Sequence, residues 1–231
     1  MAITRVQKTY TADVNTGTSL ASASITTTTG NTVVIMTRIS GLGGNSAVSG
    51  ISDGTNTYTV ASANNTSDPN MEVWTAVNIT GVTGAITVTW ATTKTYRWIY
   101  VVEYSGVSTT PVDVSGANLT SSATDLVTSA FSAAESGEVV VVGASQNALA
   151  TYTAGTDFTL LEGSITNSAQ AYGGTEEYIT TTQLSSYTAH ITSSQAAQYG
   201  IVWVLLKPSA AAPATGVYKG NQFFQLLGVG I

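Results

Sequence analysis

The chain has 231 residues, enough for one large β-sandwich or two small domains with a sizeable buried core. Charged residues make up only 9%, against about 25% in a typical soluble domain, and the net charge of −6 argues against nucleic acid as a partner. Cysteine is absent, which excludes disulfides, thiolate chemistry and Cys-bearing zinc sites.

The polarity missing from charge comes from 40 Thr and 25 Ser. Thr is β-branched and favours the pleated backbone over the helix. Low charge also raises the question of a membrane. No run approaches the roughly 18 apolar residues of a spanning helix; the longest apolar stretches are Val139 to Val142 and Ile201 to Leu206. A porin-like barrel alternates residue types too, but needs longer strands and aromatic girdles. The expectation is no membrane partner. Met1-Ala2-Ile3-Thr4-Arg5 lacks the apolar core of a secretory signal, and with Met1 retained, synthesis in the cytoplasm is expected.

Along the chain, no segment keeps helical periodicity, and period-two alternation recurs instead. An N-terminal strand is expected from Thr4 to Val14. Turn signals follow at Gly43-Gly44-Asn45, Asp53-Gly54 and Ser67-Asp68-Pro69-Asn70. Glu72 to Ile79 mixes alternation with continuous apolar character. Ala85-Ile86-Thr87-Val88-Thr89-Trp90 alternates cleanly, and Tyr96 to Tyr104 reads as a long strand buried on both faces. Another turn signal stands at Gly173-Gly174. Short strands between regular turns indicate an antiparallel sandwich, here of about twelve strands.

The pattern repeats. Moved by about 106 places, Leu20 falls on Leu126, Ile25 on Phe131, and Gly30 to Ile35 on Gly137 to Val142. With small gaps, Thr57 to Val60 falls on Asp157 to Leu160, and Glu72 to Thr75 near Glu176 to Ile179. Tyr100 to Glu103 lands on Trp203 to Leu206. Pseudo-repeats of about 18–107 and 124–208 result, joined by a link from Ser108 to Ala123 that holds Pro111, Val112, Val114 and Leu119. One six-strand half does not easily seal both faces of its sheet. Two halves facing each other do, so residues 1–208 are expected to form one internally symmetric sandwich.

Residues 209–231 differ in kind. Pro208 to Gly216 reads as an extended linker. The apolar segment beyond it would be sticky if exposed, so it is expected to dock on its own domain or on a neighbouring subunit. Val217, Tyr218, Phe223, Phe224, Leu226, Leu227 and Ile231 are the candidate docking residues.

Catalytic and metal-binding signals are sparse. The single histidine, His190, reads as a half-buried strand residue, and no Gly-x-Ser-x-Gly elbow accompanies it. Glu72, Glu103, Glu176 and Glu177 are the candidate carboxylates for glycoside hydrolysis, but structural pairing explains them more simply. Glu72 and Glu177 take similar repeat positions, and Glu103 calls for a partner such as Arg97 or Arg38. Asp53-Gly54-Thr55-Asn56 and Asp68-Pro69-Asn70 offer oxygens to calcium, yet both are ordinary turn formers. No phosphate loop is present, since Gly41-Leu42-Gly43-Gly44 lacks a following Lys-Ser/Thr. Asn-x-Thr triplets begin at Asn64, Asn78 and Asn118. The expectation is a protein that is not an enzyme, with no cofactor and no metal. Trp74, Trp90, Trp98 and Trp203 fall inside predicted strands and are expected in the core. Tyr96, Tyr152 and Tyr172 are the aromatics expected to be exposed.

Ser52 to Tyr58, Val73 to Ile79, Ile86 to Trp90 and Val102 to Val107 together resemble a jelly-roll-like β-sandwich domain of bacteriophage virion proteins and bacterial surface proteins. The resemblance covers about Thr18 to Pro208, and its motifs are structural rather than catalytic. It implies a virion component of the capsid-decoration (cement) or head-fibre type, assembled in the host cytoplasm. Such a protein would be homo-oligomeric and anchored to the major capsid protein or neighbouring subunits by terminal segments. The alternative is a carbohydrate- or receptor-binding module that meets a surface glycan.

Overall fold

The computed structural model describes residues 1–40, 47–66, 68–163, 165–167, 170–171 and 173–210. All regular structure among them is β: twelve strands of four residues or more and five two-residue strands. The first half holds β1 (Thr4–Asp13), β2 (Gly17–Ala21), β3 (Ile25–Thr26), β4 (Thr32–Ser40), β5 (Val48–Ser52), β6 (Thr59–Asn64), β7 (Asn70–Ala76), β8 (Thr83–Gly84) and β9 (Thr87–Ser105). The second holds β10 (Val107–Val127), β11 (Val139–Gln146), β12 (Tyr152–Thr153), β13 (Thr159–Glu162), β14 (Thr166–Asn167), β15 (Gln170–Ala171), β16 (Gly173–Ile179) and β17 (His190–Pro208).

Two antiparallel sheets pack face to face as a sandwich. The first runs β1-β9-β4-β7-β6, the second β10-β17-β11-β16-β13. Between them lies a shared core, including Val34, Met36, Trp98 and Tyr100 from one side and Val141, Val202, Val204 and Leu206 from the other. Each sheet also buries its outer face. In the first half, β2 and β5 pair with the early residues of β9 and close a cluster around Ile35, Ile86, Trp90 and Val101. In the second, a matching cluster gathers Leu126, Phe131, Val142, Ile191 and Trp203. This is why β4 and β11 are buried along their whole length rather than at alternate residues: both faces are covered. β9 changes layers near Tyr96, whose φ of 52° is left-handed.

The repeat is exact enough to read residue by residue. Ile35 pairs with Trp74 and Val101, and Val142 pairs with Glu176 and Trp203. Trp74 is therefore the counterpart of Glu176, and Val101 of Trp203. The expected match of Tyr100 with Trp203 is one residue out, and a one-residue slip sends every side chain to the other face. The expected equivalence of Glu72 and Glu177 fails for the same reason: Glu72 shares the outward side of its strand with Trp74, whereas Glu177 bonds Tyr104 of the shared core. Elsewhere the alignment holds. Gly30 and Gly137 both take positive φ and donate to matching carbonyls, Ile79 and Thr180.

The segment from Ser108 to Ala123, expected as a crossing link, is part of β10. It pairs along β17 as β1 and β2 pair with β9. The symmetric unit thus begins at β1 and β10. Each half covers its outer face with its own strands and its inner face with the other half.

Candidate functional site

The four candidate carboxylates are all buried, and each is held by neighbours. Glu72 accepts the Val48 N–H at 2.7 Å and the Trp74 indole N–H at 2.7 Å. Burial pushes its pKa up, against those two bonds. Glu103 accepts from the Thr28 N–H, the Asn31 amide and the Gln7 amide at 2.5–2.8 Å. Its partners are not the expected arginines. Arg97 pairs with Asp13 at 2.7 Å, and Arg38 reaches the Tyr96 carbonyl and Asn147. Glu177 accepts Arg5 at 2.6 Å and the Tyr104 hydroxyl at 2.5 Å. Glu176 accepts the Gly155 N–H at 2.8 Å, and burial drives its pKa up to about 8.

Asp53 behaves as a turn former. One oxygen accepts the N–H groups of Thr55 and Asn56 at 2.9 and 2.7 Å. The other accepts the Asn56 amide and the Tyr58 hydroxyl at 2.7 and 2.9 Å. Both oxygens are thereby engaged by protein donors. The Asp68–Pro69 peptide is cis.

Two clefts stand out. One, of about 470 Å³, lies where β6 and β7 approach β10, and is lined by Thr57, Thr59, Thr75, Val77, Thr110, Pro111 and Val112. It carries no charged or aromatic side chain. The other, of about 400 Å³, lies at the start of β17, and its walls include Asp125, Gly155, Thr156, Tyr187, His190 and Thr192. Here His190 is exposed rather than half-buried, and its Nδ1 sits 3.1 Å from both Asp125 oxygens. Tyr187 is half-buried and stacks on Phe158 and on Tyr178, each at 6.2 Å between ring centroids. Its hydroxyl donates to the Thr156 carbonyl at 3.3 Å. Gly155 closes the wall: a Cβ there would stand 2.3 Å from the His190 carbonyl oxygen, so only glycine fits. Buried Glu176 holds that glycine's N–H from within.

The four tryptophans lie where expected, with Trp90, Trp98 and Trp203 buried and Trp74 half-buried. Tyr96 is exposed as expected, but Tyr152 is not. Tyr152 is 2% exposed because β12 lays it under β17 in the outer cluster. Tyr172 and the candidate docking residues Val217, Tyr218, Phe223, Phe224, Leu226, Leu227 and Ile231 lie outside the described residues. Asp125, Tyr178 and Tyr187 were not singled out in the sequence. The usable signal was the repeat itself, since each replaces a smaller or less polar counterpart in the first half. No family model, curated protein or solved structure matches the chain.

Proposed function

We propose that this chain is a non-enzymatic structural protein of a bacteriophage virion, of the capsid-decoration or head-fibre kind. The sandwich faces solvent, and residues after Pro208 dock on the major capsid protein or a neighbouring subunit. One observation carries this reading. At its end the described chain is pinned to a single corner of the sandwich: the Ser209 N–H donates to the Gly106 carbonyl at 2.7 Å, and the Met1 amino group donates to the Ser209 carbonyl at 2.5 Å. Met1 and the last described residues meet there, which suits a common attachment point. The low charge and abundant Thr suit an inert outward surface. Mass spectrometry of purified particles, with antibody labelling of intact ones, tests the reading. The protein is expected in the particle and accessible from outside; its absence from purified particles would refute the proposal.

A second reading, a carbohydrate- or receptor-binding module, is favoured by the cleft at Asp125, Tyr187 and His190. The two readings are compatible, because the cleft and the Ser209 corner involve opposite ends of β17.

A further inference from the structure

The two halves give an internal control. They share strand order and register, so a residue that differs from its counterpart is not dictated by the shared backbone path alone. Around the β17 cleft the counterparts are unlike. Asp125 pairs with Thr192 as Ser19 pairs with Thr89, and Val127 pairs with His190 as Ala21 pairs with Thr87. Phe131 bridges Tyr187 as Ile25 pairs with Gly84. Tyr178 opposes Val140 as Ala76 opposes Val33. Where the second half has Asp125, Tyr178, Tyr187 and His190, the first half closes with Ser19, Ala76, Gly84 and Thr87. The shared backbone thus does not call for the exposed His–Asp pair, and Tyr178 and Tyr187, which pack against the outer cluster of the second half, have no aromatic counterpart in the first.

We infer that the cleft bordered by Asp125, Tyr187 and His190 is a saccharide-binding site. The inference rests on the second reading above and gives it a location. The volume of about 400 Å³ falls within the roughly 300–1,000 Å³ usual for small-molecule sites. Tyr187, steadied by Phe158 and Tyr178, offers an aromatic surface to the C–H face of a sugar ring. Asp125 orients the imidazole through Nδ1, which leaves His190 Nε2 without a protein partner among the described residues. Nε2, the carboxylate and the hydroxyls of Thr156, Thr188 and Thr192 supply donors and acceptors for sugar hydroxyls. The carboxylate and the net charge of −6 disfavour an anionic ligand, so a neutral sugar is the better fit.

The test uses the full chain with maltohexaose, cellohexaose and chitohexaose as probes, read by saturation-transfer NMR and calorimetry. At least one is expected to bind. Tyr187→Ala, His190→Ala and Asp125→Asn should each weaken that probe about tenfold, the loss of roughly one aromatic or hydrogen-bonding contact. The matching first-half change, Thr87→Ala, should leave binding unchanged. His190 and Asp125 are exposed, so their variants report on binding even if Tyr187→Ala unfolds the loop. If a probe binds and the exposed-site variants bind it equally well, the assigned location is wrong while a carbohydrate-binding role survives. If none of the three binds at millimolar concentration, the inference and the carbohydrate-binding form of the reading beneath it both fall.

Discussion

Met36 packs against Gly143, its own counterpart in the other half: a Cβ on Gly143 would stand 2.5 Å from Met36 Sδ. A residue that meets its own equivalent marks a twofold relation between the halves. The neighbouring contacts obey it. Trp98 covers Gly173, and their counterparts, Gly200 and Met71, also touch. In all three pairs the first half contributes the large side chain and the second the glycine. The interface is symmetric in backbone and complementary in volume.

This arrangement predicts an order of sensitivity. Gly173→Ala places a methyl 2.8–2.9 Å from three atoms of the rigid Trp98 indole. Gly143→Ala meets a thioether that can change rotamer. Overpacking of this kind costs about 1–3 kcal/mol. Urea denaturation should show Gly173→Ala as the more destabilising change, with Trp98→Phe partly restoring stability in the double variant.

A polar network also joins the halves. Tyr104 and Arg5 from the first half converge on Glu177 of the second. Burial, then the Glu177 charge, holds the Tyr104 hydroxyl protonated well above the ordinary tyrosine range. Tyr104→Phe leaves a buried carboxylate oxygen short of a donor and should cost about 1–3 kcal/mol. A double-mutant cycle with Glu177→Ala should return a coupling of about 0.5–3 kcal/mol; independent effects would show that the bond does not join the halves.

Two buried carboxylates set a pH dependence. Burial raises Glu176 to about 8, and burial with the nearby negative charges of Asp113 and Glu135 raises Glu138 to about 7. Between their ordinary value of 4.5 and these folded values, the native state holds protons that the unfolded chain has lost. Stability from these groups is therefore full below the unfolded pKa and falls as pH rises towards 8, by at most about 1.4 kcal/mol per pH unit for each proton. Glu176→Gln should flatten the slope of unfolding free energy between pH 5 and 8. An unchanged slope would mean that Glu176 ionises normally.

Asp53 acts in the opposite direction. Burial alone would raise its pKa, but the Asn56 and Thr55 N–H groups, the Asn56 amide and the Tyr58 hydroxyl outweigh it and lower the value below 3.8. Its contribution is present above the unfolded pKa and is lost as pH falls through the folded one. Asp53→Ala should cost about 2 kcal/mol at pH 6 and less at pH 2.5, measured by urea denaturation.

The fold was largely legible because its signals are local. Gly30 and Gly137 precede matching apolar strands, and Val139 to Val142 could hardly be anything but buried. Register was harder. In a strand apolar on both faces, such as Ile99 to Val102, a shift by one residue changes no hydrophobic count, so the pattern alone aligns Tyr100 with Trp203 instead of Val202. Partners of buried charges were not legible either. Glu103 takes neutral donors from Gln7, Thr28 and Asn31, which the sheet brings in from distant positions. The cleft was hidden for the same reason: Asp125 and His190 stand 65 residues apart and meet only through the pairing of β10 with β17.

The proposed attachment role of the residues after Pro208 is tested most directly by co-sedimentation with particles assembled without this protein. The full chain is compared with one ending at Ser209, whose folding is checked by a cooperative urea transition. The account predicts that the full chain pellets with particles while the folded truncation stays in the supernatant. Equal co-sedimentation of the two would contradict it.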